Sequence, residues 1–334
     1  MLRDAPDETA VFAAIVRTTG SRPQLLLDAL QSLALQQSQC VPVLVVHGDD
    51  TRYSLVKRIC DESSVASSAI VLRASDTTRR RGYPINVGLD YCLAHLSNAS
   101  YIFFLDDDDI VYPFFTGTMA AAFLTSEADV VYAASNRREP WQPAEPAYSP
   151  KPVYHLFCEN FIPINSYAIR LQSLRESGVR MSEDMEYTED WHFLLRLLEA
   201  GLRFHPIATT LSEFRIVSDG NLAQKRDPGA WKAISLRIRR YINTSTFRVP
   251  GPDLVRTAES LTPSSAPPPA APPPSPAPPA VIAPATRGAD EALITSLRGR
   301  IWAMEHSLSW KCTAPARYVL GVFLGTRGRG RLAQ

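Results

Sequence analysis

The stretch Tyr101-Ile-Phe-Phe-Leu-Asp-Asp-Asp-Asp-Ile110 sets five apolar residues directly before four carboxylates. Five consecutive apolar residues, aromatic and β-branched among them, predict a strand covered on both faces. In an open α/β sheet, ligands gather at the carboxyl ends of the strands. Asp106, Asp107, Asp108 and Asp109 packed there repel one another, so a bound cation is the natural way to neutralise them. Oxygen ligands alone favour a hard ion, Mg²⁺ or Mn²⁺, usually shared with a substrate phosphate. A solvated acidic turn is the plain alternative, but a buried strand rarely ends in four like charges without a use.

Working outward, the pattern around this strand is regular. Val11-Phe-Ala-Ala-Ile-Val16 predicts a first strand, closed by the polar turn Arg17-Thr-Thr-Gly-Ser-Arg-Pro23. A helix over 23–37 carries Leu26, Leu30 and Leu33 on one face. A second strand over 41–46 ends in His47-Gly-Asp-Asp-Thr51, followed by a weaker helix over 53–60 and a third strand over 69–73. Arg79-Arg-Arg-Gly-Tyr-Pro-Ile-Asn-Val-Gly88 predicts a basic loop feeding a helix whose buried face is Leu89, Cys92, Leu93 and Leu96. After the acidic strand come a helix over 113–124 and a strand over 129–134. This alternation predicts an α/β fold of three layers with a mostly parallel central sheet and right-handed crossovers. From 135 to 215 the alternation is lost. Phe161-Ile-Pro-Ile-Asn-Ser-Tyr-Ala-Ile169 predicts a strand, and Thr188 is expected to cap a helix that opens on Glu189 and Asp190 and ends near Gly201.

The globular domain is expected over 1–250. Eleven of the 27 prolines fall between 263 and 284, so 262–287 predicts an extended Pro/Ala-rich linker. Residues 288–334 are expected to form an amphipathic helix, with Leu293, Leu297, Ile301, Met304 and Leu308 on one face, and a basic tail. Such a tail needs a partner: itself, the domain, or an anionic membrane. A net charge of +1 gives no field that would favour nucleic acid. Five scattered cysteines without a CxxC pair predict reduced thiols in a cytoplasmic protein. No apolar run is long enough for a membrane span, and the polar, acidic first residues predict no signal peptide.

Several chemistries are excluded by motif. There is no GxGxxG after the first strand, no GxxxxGK[ST], no GxSxG, and no His/Cys zinc spacing. What remains lies at successive strand ends. Thr18 closes the first strand. Asp49 and Asp50, after the second, are placed to accept from a base or ribose. Arg81 and Asn86 are placed to meet phosphate or sugar oxygens, and Asp107 is assigned to substrate beside the metal ligands. Glu189 and Asp190 stand apart at a helix start. A metal, a basic loop and a separate acid suit displacement of a phosphate leaving group: the metal offsets charge on the diphosphate, and the carboxylate takes the proton of the attacking hydroxyl.

In order, Thr18-Thr-Gly-Ser-Arg-Pro23, Val45-Val-His-Gly-Asp-Asp50, residues 81–88, Leu105-Asp-Asp-Asp-Asp109 and Thr188-Glu-Asp-Trp191 resemble the landmarks of the family 2 glycosyltransferases, inverting enzymes of the GT-A fold. The resemblance spans about residues 10–215. It implies that Asp106 and Asp108 are the DxD pair holding a cation on the donor's diphosphate, with Asp109 beside them, and that the ED pair Glu189-Asp190 supplies the base, Asp190. The donor implied is a nucleoside-diphosphate sugar. Ser307-Leu-Ser-Trp-Lys-Cys-Thr-Ala-Pro-Ala-Arg317 resembles an ending found in bacterial polysaccharide-building members, which implies a glycan or lipid-linked acceptor and a place at the inner face of the cell membrane. One departure is that the family's adjacent acids after the second strand are here displaced by His47-Gly48 to Asp49 and Asp50. A nucleotidyltransferase and a non-catalytic nucleotide-sugar-binding scaffold are the competing readings.

Overall fold

Strand β1 (Phe12–Thr18) is buried at every position, as a strand must be when helices cover both its faces. This computed structural model describes residues 10–63, 68–76, 78–217 and 228–248. In it β1 pairs in parallel with β2 (Cys40–Val46) on one side and β4 (Tyr101–Asp106) on the other, and β2 pairs in parallel with β3 (Ile70–Arg73). Side chains alternate across a strand. Phe12, Ala14 and Val16 therefore meet one core with α1 (Pro23–Ala34), α2 (Asp50–Glu62) and α4 (Phe115–Thr125). Ala13 and Ile15 meet the other with α3 (Gly82–His95) and α6 (Glu189–Glu199). At Gly88 a Cβ would stand 2.7 Å from Ile15 Cγ2, so glycine lets α3 lie close on the sheet.

The expected α/β layering is present, and its mostly parallel sheet carries antiparallel members. The order is β3-β2-β1-β4, then β8 (Tyr167–Arg170), β6 (Val130–Arg138), β9 (Phe204–Arg215) and β5 (Ile110–Val111). Strand β8 runs against both β4 and β6. β5 runs against β9, and β7 (Glu145–Tyr148) against β6. β9 returns parallel to β6 through two register shifts. Beyond it, α7 (Pro228–Thr244) sends Ile238 into the core.

Three local expectations are corrected. The apolar run 161–169 is not one strand: a 3-10 turn at Ile164–Ser166, closed by the Ser166 N–H donating to Pro163 O at 3.0 Å, precedes β8, and within it the buried Asn165 side chain donates to Glu213 O. Thr188 does not cap α6; it sits at φ 61°, and its hydroxyl donates to Tyr187 O. Helix α2 starts earlier than its apolar pattern suggested, because Asp49 caps it by accepting from the Arg52 N–H at 2.9 Å. The linker over 262–287 and the helix and tail over 288–334 lie outside the described residues.

Candidate active site

Parallel register sets Arg17, the penultimate residue of β1, opposite Asp106, the last of β4. The Arg17 guanidinium is buried, and it donates through Nε to Asp106 Oδ1 at 2.8 Å and through Nη2 to Oδ2 at 2.8 Å. Its Nη1 donates to Glu189 Oε1 at 3.0 Å and to the Arg81 carbonyl at 3.0 Å. Arg81, more exposed, repeats both contacts, with Nη2 3.1 Å from Asp106 Oδ2 and Nε 3.0 Å from Glu189 Oε1. Two guanidiniums and two carboxylates thus close a ring at the C-terminal end of the sheet. Burial alone would raise the Asp106 carboxyl, but Arg17 and Arg81 outweigh it and hold Asp106 below the usual carboxylate range.

The other three acids differ in partner and depth. Asp107 is buried; it accepts from Thr18 Oγ1 at 2.6 Å and pairs with Arg22. Asp108, half-buried, also pairs with Arg22. Burial, with Asp106 as a like-charged neighbour, raises both carboxyls. Asp109 turns inward, accepting the Arg215 N–H at 2.9 Å, while its Oδ2 is buried with no hydrogen-bond partner among the described residues. Burial, then Asp108 and Asp106, pushes its carboxyl well above the usual value.

Three of the four acids, Asp106, Asp107 and Asp108, are therefore paired with arginines. The expected ligand set of Asp106, Asp108 and Asp109 is not assembled: among the described residues no three acidic, His or Cys side chains converge on a cation position. Both oxygens of Asp106 are taken by Arg17, and Asp109 is sealed. Asp108 is the carboxylate with an oxygen to spare, Oδ1, on a half-buried side chain. A hard cation carried largely by a diphosphate and water fits one such oxygen.

The second acidic pair is held by a different device. Asn86, buried in α3, donates to Met181 O at 3.0 Å and to Glu183 Oε1 at 2.7 Å, and accepts the Met181 N–H at 2.9 Å. Its amide is thus bound to the segment leading into α6. At Gly82 a Cβ would stand 2.2 Å from Ser182 O, so the same segment rests directly on the start of α3. Arg79 adds an ion pair to Glu183 at 2.7 Å. Delivered this way, Glu189 enters the arginine ring. Asp190, one position on, stays outside it and accepts from Asn160 Nδ2 at 2.9 Å and the Trp191 N–H at 2.8 Å. Burial, then the Glu189 charge, raises the Asp190 carboxyl to about 6. The Tyr167 hydroxyl, buried without a hydrogen-bond partner among the described residues, lies near both acids, which add to burial in raising it.

Asp49 and Asp50 are exposed and stand apart from this cluster: Asp49 caps α2 and Asp50 pairs with Arg73. His47 Nε2 lies 3.1 Å from Asp76 O and its ring meets Tyr83 edge-on at 6.1 Å. Trp191 is a packing residue, its Nε1 donating to Leu156 O at 2.7 Å. Sequence reasoning missed Arg17 and Arg22. The available signal was an arginine ending an apolar strand whose neighbour ends in acids.

No family model matches the chain, and no curated protein sequence matches it. Solved structures do. Crystal structures of S. aureus TarS superpose with TM-scores of 0.51 for the TarS chain, 0.53 for its residues 1–349 in complex with UDP, and 0.54 for the same segment in complex with UDP-GlcNAc. Identity is 15%, 15% and 16%, and each match covers 71% of this chain. The chain spans 40% of the first TarS chain, and 67% and 68% of the shorter ones. Likeness at this level of identity speaks to architecture, and the chain has the GT-A fold that its resemblance to the family 2 glycosyltransferases implied.

Proposed function

We propose that this protein moves a sugar from a nucleoside-diphosphate sugar to an acceptor hydroxyl with inversion. The observation that carries the reading is the placement of Asp190: a half-buried carboxylate with a pKa raised to about 6, beside but outside a ring of arginines at the sheet's C-terminal end. It is ionised at neutral pH yet more basic than a free aspartate, which suits a general base. The acceptor O–H gives its proton to Asp190, the acceptor oxygen bonds to the anomeric carbon, and the bond to the diphosphate oxygen breaks, its electron pair leaving with the diphosphate. Arg81 and Arg22, both reached by solvent, would offset that charge. The presence of UDP-GlcNAc in a crystal structure of the same fold supports a nucleotide-sugar donor. Asp108 would hold Mg²⁺ or Mn²⁺, which would offset charge on the departing diphosphate.

The acceptor is proposed to be a cell-surface glycan or a lipid-linked one, met in the cytoplasm at the inner face of the membrane. No helix among the described residues is long and apolar enough to cross that membrane. The test is a panel of nucleotide sugars beginning with UDP-GlcNAc, read by thermal unfolding with and without Mn²⁺. A donor at 100 times its Kd adds about 2.7 kcal/mol. Absence of stabilisation by every donor would sink the reading, and stabilisation without turnover on any acceptor would favour the non-catalytic scaffold.

A further inference from the structure

We propose that Arg17 is a positioning residue that couples the donor site to the base, by fixing the first turn of α6 against the end of β4. The inference rests on the glycosyl-transfer reading for its consequence, though not for its geometry. A guanidinium inside a fully buried strand carries a large desolvation cost, and since apolar residues often replace buried ion pairs without loss, its ion pairs are weak evidence of a stabilising role. What Arg17 does that no apolar residue can is connect. Its four hydrogen bonds reach Asp106, Glu189 and the Arg81 carbonyl, parts of the chain 89, 172 and 64 positions away. Arg81 spans the same two acids from the solvent side, so the ring has one buried and one exposed cation.

This arrangement separates the roles of the adjacent acids. Glu189 is held by two arginines and is the anchor. Asp190, the next residue on the helix, lies outside the ring, where it can take a proton. The distance from the base to the sugar therefore depends on the Arg17 fork. Lysine keeps the charge but offers a single point on a flexible stem, so it cannot hold both acids and the Arg81 carbonyl in one plane.

The experiment uses the full chain. In Arg17→Lys, donor binding followed with UDP-GlcNAc should stay within a few-fold of the parent, while kcat falls by about 10²-fold, the scale of a displacement near 1 Å. Glu189→Gln should show the same selective loss from the other end of the pair. The double variant should lose little more than either single one. A merely structural role would lower melting temperature, donor affinity and kcat together, and that result overturns the proposal, as does parent-like kcat in either single variant. Should Arg17→Lys fail to fold, Glu189→Gln alone decides by the same readout. Urea unfolding of the same four proteins without ligand tests the anchor independently. Non-additive midpoints support it even if the parent turns over no nucleotide sugar, which would sink the glycosyl-transfer reading instead, and additive midpoints overturn it.

Discussion

Glu189 and Asp190 are neighbours in sequence and opposites in chemistry, because one enters a ring of arginines and the other does not. With its carboxyl raised to about 6 in the free protein, Asp190 should give an acid limb near pH 6 in kcat/KM against pH. Asp190→Asn cannot accept a proton, and kcat should fall by about 10² to 10⁴ with donor affinity little changed. The same shift has a stability consequence. The folded state favours protonated Asp190, so that stability is fully present below the ordinary value of 3.8 and is lost as pH rises through about 6. Asp190→Asn should therefore gain melting temperature over the parent between about pH 4 and pH 7, and a gap that shrinks over that range would contradict the assignment. His192, lowered by burial to about 4, shifts both proteins alike. The acids of this site were legible in the sequence, since charge at the end of an apolar strand stands out. Their partners were not, because an arginine 89 or 172 positions away is chosen by strand register and not by local pattern.

Among the elements, the first half of the fold was readable and the second half was not, for a physical reason. β1, β2 and β3 pair only in parallel and each is followed by a helix, so apolar runs alternate in period and mark themselves. After residue 135, β8 is inserted antiparallel between β4 and β6, and β9 bulges twice along β6, so its burial does not alternate cleanly. Asn86 shows the same limit at a site. Its place in a basic loop suggested a ligand contact, whereas α3 begins at Gly82 and turns the amide onto residues 181–183. Asn86→Ala leaves the Met181 N–H and C=O without their partner, and unfolding free energy should fall by about 1–3 kcal/mol. Gly82→Ala forces a Cβ against a backbone oxygen that cannot rotate away, with a similar cost of about 1–3 kcal/mol from overpacking. Both changes displace the segment that delivers α6, so kcat should drop in each even at temperatures where the protein remains folded. A variant with parent stability and kcat would show that the segment is positioned from elsewhere.

At the scale of the whole molecule, the sheet covers itself. One face is closed by α1, α2 and α4 and the other by α3, α6 and α7, each with its own apolar cluster among the described residues. The 11 prolines between 263 and 284 cannot enter a regular helix or a central strand, and a stretch so rich in Pro, Ala and Ser supplies little to a core. A chain ending at residue 261 should therefore express as a folded protein, with a melting temperature within a few degrees of the full chain and the same donor-induced stabilisation. Residues 317, 327, 329 and 331 are all arginine, and each basic group near an anionic membrane surface contributes about 1 kcal/mol of attraction. Sedimentation with vesicles of anionic phospholipid should pull down the full chain at low salt and release it at high salt, while the shortened chain stays in the supernatant. If the shortened chain unfolds, residues 262–334 contribute packing that the two apolar clusters do not supply. If both chains sediment equally, the attraction lies on the domain itself, where Arg237, Arg239 and Arg240 on α7 are the first charges to replace.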